Sequence, residues 1–129
     1  MDISKRYVTS EAAEIEGIWR NLEEAGEVRV ARLGNTRYQQ AYQRLERNKG
    51  TVDGTVLTEA EQTELVVEAM AEAVLVDWRG IEWEGEPMPY SLENAKVVLR
   101  VKDFRRVVLE LSRDWEQYRK ARLETAAKN

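Results

Sequence analysis

Histidine and cysteine are both absent from the 129 residues. Without cysteine, disulfides, thiolate metal sites, thiol nucleophiles and redox switches are excluded. Without histidine, the usual general base near neutral pH, the imidazole of hydrolytic triads and the commonest transition-metal ligand are excluded too. Long apolar runs are also lacking, and none approaches the ~20 residues that a membrane-crossing helix needs. The opening residues Met1-Asp2-Ile3-Ser4-Lys5-Arg6 lack the basic start and apolar run of a secretory signal, so residence in the cytoplasm is expected. A net charge of −4 argues against a general phosphate-binding surface. Proline occurs only twice, as Pro87 and Pro89 in one stretch.

What is present suits a single domain over residues 1–129, long enough to bury one core without staples. Residues 1–14 show no apolar periodicity and read as a mobile arm, or as a short turn of helix through Glu11-Ala12-Ala13-Glu14. Residues 15–33 alternate in two runs joined by Glu23 to Gly26, which predicts a β-hairpin with Ile18, Leu22, Val28 and Val30 on its packed face. Residues 35–125 read as a helical bundle. Asn35 or Thr36 caps a helix with Tyr38, Ala41, Tyr42 and Leu45 on one face. A turn-rich loop follows around Asp53-Gly54, which resembles a calcium loop only superficially because the ligand positions before and after it are wrong. Thr58 and Glu61 form a capping box for a second helix whose buried stripe runs from Leu65 to about Trp78. Ser91 starts a short third helix. Asp103 is a plausible cap for a last one, with Phe104, Val107, Val108, Leu111, Trp115 and Tyr118 on one face to about Thr125. The expected fold is mainly α: a small bundle of about four helices with an N-terminal β-hairpin.

Glu61, Glu64, Glu68 and Glu72 line one side of the second helix, where they suit a basic partner or simply a solvated face. The basic residues of the last helix, Arg105, Arg106, Arg113, Arg119, Lys120, Arg122 and Lys128, are diluted by Glu110, Asp114, Glu116 and Glu124 and complement the helix dipole, so nucleic acid is not expected as a partner. No glycine-rich phosphate loop is present, carboxylates, lysines and tyrosines do not converge in any evident way, and neither an enzyme nor a cofactor or metal site is expected.

The stretch from Asp77 to Ala95 holds two of the four tryptophans and both prolines. Trp78, Trp83 and Tyr90 suit core plugs or anchors, and Met88 between two prolines suits a contact surface. The candidate partner-binding residues are therefore Trp83, Pro87, Met88, Pro89 and Tyr90, with Trp115, Tyr118 and the four glutamates beside them. The order W-x-G-I followed by G-E-P-x-P-Y-S-x-E-N resembles the linker between the second and third helices of tail assembly chaperones from siphovirus-like bacteriophages and prophages. The run from Val30 through Gly34 to Tyr38 resembles the hairpin-to-helix junction of some members. The resemblance implies a non-catalytic assembly factor that coats and solubilises the tape measure protein and helps recruit tail tube subunits, with homo-oligomers possible. It further implies action in the host cytoplasm and absence from the mature virion. A head-tail connector or tail completion protein retained in the particle is the alternative.

Overall fold

The computed structural model describes residues 1–49 and 56–128; the loop expected around Asp53-Gly54, with its calcium-loop comparison, lies outside the described residues. Two short helices open the chain, α1 (Ile3–Arg6) capped by the Asp2 carboxylate and α2 (Glu11–Glu16) capped by the Ser10 hydroxyl. The N-terminus is thus helical, and the expected four-helix bundle led by a β-hairpin is overturned, although helix remains the main element. Strands β1 (Ile18–Asn21) and β2 (Glu27–Val30) pair antiparallel, with Ile18 opposite Val30 and Arg20 opposite Val28. They are not a free-standing ribbon. A third strand, β3 (Leu75–Arg79), pairs with the other edge of β2 and makes it the centre of a sheet. A two-stranded ribbon is marginal in water, and the third strand supplies the remedy.

Helix α3 (Thr36–Asn48) starts at Asn35, whose side chain accepts from the Tyr38 amide at 3.0 Å. The Asn35 amide group also donates to the Arg32 and Ala73 carbonyls, which ties the start of α3 to the end of α4 (Glu59–Ala73). The Thr58–Glu61 capping box is formed as the sequence predicts. The expected continuation of this helix to Trp78 is corrected: it stops at Ala73, and the chain becomes β3. Opposite β2, Arg29 faces Asp77 and Val30 faces Leu75, so Val76 is the extra residue of a bulge. The bulge widens the strand period so that Leu75 and Trp78, three residues apart, are both buried. With Val74, that spacing mimics a helical stripe.

After β3 a miniature hairpin forms from β4 (Glu82–Trp83) and β5 (Glu86–Pro87). Its two-residue turn, Glu84-Gly85, has both φ values positive, at 51° and 83°, as hairpin turns that match the strand twist require. Ser91 caps α5 (Leu92–Leu99) through the Asn94 amide. Helix α6 (Lys102–Ser112) begins after Val101, and Asp103 falls in its first turn instead of at the cap. The single last helix expected from 103 to about 125 is interrupted: α7 (Trp115–Lys128) is separate. The Ser112 carbonyl, which a continuous helix would offer to residue 116, accepts instead from the Leu33 amide at 3.0 Å.

Val28, Val30, Leu75 and Trp78 from the sheet pack against Val67, Met70 and Val74 of the α4 region, and Ala95, Val98, Leu99 and Val108 of α5 and α6 complete the core. The chain's first residues are pinned to α7. Tyr7 stacks on Trp115 with ring centroids 5.5 Å apart, the Ser10 amide donates to the Tyr118 carbonyl at 3.0 Å, and the Arg119 Nε donates to the Arg6 carbonyl at 2.8 Å.

Candidate functional site

The aromatic linker divides into an inner and an outer half. Trp78 is buried, and its indole N–H donates to the Met88 carbonyl at 2.7 Å; Tyr90 meets its ring edge-on and donates to the Leu75 carbonyl at 2.8 Å. Burial raises the Tyr90 phenol above its ordinary pKa. Met88 is half-buried against the core, and its amide donates to the Ile81 carbonyl. Pro87 and Pro89 are exposed, and the Pro89 carbonyl accepts from the Asn94 side chain as part of the entry to α5.

Trp83 is the outer half. Its side chain is 37% exposed, and with Ile81 it forms one wall of a groove of about 340 Å³. Leu22 and Gly26 of the β1–β2 connection form another wall, and Val98, Val101 and Phe104 of the α5–α6 junction close the third. Val101 is 43% exposed. Glu23, Glu24 and Glu82 join the lining, which contains carboxylates and no lysine or arginine. An apolar floor with an acidic rim suits apolar and cationic side chains better than phosphates.

Other expected site residues lie elsewhere. Tyr118 is corrected from partner contact to core: it is 1% exposed and its hydroxyl donates to the Val30 carbonyl at 3.0 Å, with burial raising the phenol well above its ordinary pKa. Trp115 is half-buried beneath Tyr7. Of the acidic stripe, Glu61 returns to the Thr58 amide in the capping box, and hydrogen bonds from that residue lower its carboxyl pKa. Glu64 accepts from Arg100 at 2.7 Å, a bond that lowers the carboxyl pKa in the same way, and Glu72 accepts from Arg44 at 2.6 Å. Glu68 is half-buried. The stripe is thus largely committed within the molecule, and among the described residues no cluster of three or more acidic side chains is arranged to hold a metal. Leu22, Ile81 and Val101 lie in connections between elements and Phe104 in α6, and no local signal in the sequence shows that they meet.

A family model described as YdaY prophage protein matches residues 33–129. The chain belongs to the YdaY prophage protein family. Comparison with curated proteins and with solved structures gave no match. The matched segment of this YdaY-family chain runs from Leu33 through α7, so it contains Ile81, Glu82, Trp83, Val101 and Phe104 of the groove but not Leu22, Glu23 or Glu24. Among the described residues, no helix is long and apolar enough to cross a membrane.

Proposed function

We propose that this prophage protein is a non-catalytic tail assembly chaperone, binding and solubilising the tape measure protein and helping to recruit tail tube subunits. The observation that carries the proposal is the groove beside Trp83: an indole and aliphatic side chains from three parts of the fold, held partly open and rimmed by carboxylates. A chaperone for a long, partly apolar helical client needs an apolar contact that is shielded from self-association by like charge. Membership of a prophage family and the resemblance of the linker to that of tail chaperones support the same reading. It places the protein in the host cytoplasm during assembly and outside the finished virion.

Co-expression with the tape measure protein of the same prophage tests it. The tape measure protein is expected in the soluble fraction with this chain and in the pellet without it, and mass spectrometry of purified particles should lack the chain. Equal solubility in both cases defeats the chaperone role, and a fixed number of copies per particle assigns the chain to the structural proteins of the tail.

A further inference from the structure

We propose that the groove receives a basic amphipathic helix, whose aliphatic stripe lies against Trp83, Val101 and Phe104 while its flanking lysines or arginines meet Glu23, Glu24 and Glu82. The inference deepens the chaperone reading and rests on it for the choice of this surface as the functional one; it adds the chemistry of the occupant.

Charge complementarity decides the class of partner. The groove lining holds three carboxylates and no lysine or arginine; of the basic side chains near it in sequence, Lys102 beside Val101 is exposed, and three arginines are engaged elsewhere. Arg79 lies 3.8 Å from the Trp19 ring centroid and near Glu27, Arg100 pairs with Glu64, and Arg105 donates to the Leu99 carbonyl. Three carboxylates around exposed apolar side chains repel an acidic or phosphorylated segment and attract a basic one. Glu23 and Glu24 come from the β1–β2 connection and Glu82 from the start of β4, which suits a helix that carries its cations beside an apolar stripe.

The backbone gives an independent sign. Among the described residues, the non-glycine positions with positive φ are Glu24 at 60°, Ala25 at 74° and Glu84 at 51°. Glu84 belongs to the β4–β5 hairpin turn, whereas Glu24 and Ala25 lie in the β1–β2 connection that forms one wall of the groove. A side chain disfavours this conformation, and such strain concentrates where a surface is shaped for a ligand. At Glu24 the strained turn places a carboxylate in the lining.

The test uses the full chain and two fluorescent helical peptides of about five turns, with one leucine stripe in common and either lysine or glutamate elsewhere. The lysine peptide is expected to bind at least about tenfold more tightly than the glutamate peptide. Trp83→Ala should weaken it by about tenfold, and the pair Glu24→Lys and Glu82→Lys should invert the preference. Glu46→Lys with Glu116→Lys, outside the groove, should leave binding nearly unchanged. Circular dichroism confirms that each variant is folded. Equal binding of both peptides, indifference to Trp83→Ala, or equal loss in the Glu46 and Glu116 variant overturns the proposal. So does a wild-type dimer that Trp83→Ala disperses, since the groove would then serve a second copy. Tape measure solubility that survives Trp83→Ala and the charge inversion sinks the groove but leaves the chaperone role standing. Peptide binding without any effect on tape measure solubility does the reverse.

Discussion

The Tyr118 hydroxyl reaches the Val30 carbonyl at the middle of the sheet, and Tyr118→Phe deprives a buried acceptor of that donor. A loss of about 1–2 kcal/mol is expected, seen as a lower urea midpoint with an unchanged slope. The two linker tryptophans differ more widely. Trp78→Ala empties the core and should cost about 3–5 kcal/mol, whereas Trp83→Ala should change stability by less than about 1 kcal/mol, and the same unfolding curves measure both. Glu64 supplies a pH dependence. Its pKa is lowered by the Arg100 hydrogen bond, so the stabilisation is present at neutral pH and is lost as pH falls through that lowered value. The pair is partly exposed, with side-chain exposures of 31% for Glu64 and 50% for Arg100, so Glu64→Gln should cost only about 0.2–1 kcal/mol at pH 7. The difference from wild type should vanish once both proteins are studied well below the ordinary glutamate range.

At the scale of elements, the β4–β5 turn is open to improvement. Asparagine tolerates the left-handed conformation that Glu84 adopts, and an Asn-Gly pair is the preferred hairpin turn, so Glu84→Asn should stabilise by about 0.5 kcal/mol and slow amide exchange at Trp83. The elements most legible in the sequence were those with local signals: the caps at Asn35, Thr58 and Ser91, and the alternating runs of β1 and β2. Two others were misread, each for its own physical reason. A bulge at Val76 gave β3 a spacing that belongs to helices, and the break between α6 and α7 depends on the Leu33 amide, far away in sequence. The groove was legible only through Trp83, because its other walls meet through tertiary packing alone. Tyr118 was misplaced because a large aromatic side chain does not reveal from sequence which neighbour will cover it.

On the scale of the whole molecule, Glu64 and Glu72 of the α4 stripe serve internal pairing while Glu23, Glu24 and Glu82 line the groove, so net charge alone is a poor guide to where a partner would bind. The contacts of α1 and α2 with α7 join stretches more than 100 residues apart: Arg119 bonds to Arg6 across a separation of 113. A chain cut after Asp114 should therefore lose amide-exchange protection in residues 10–17 while keeping it in α4 and β2. During translation, the first helices leave the ribosome well before the residues that hold them down. Until Trp115 and Tyr118 emerge, α1 and α2 lack the contacts that hold them and stay available to cellular proteases and to folding helpers.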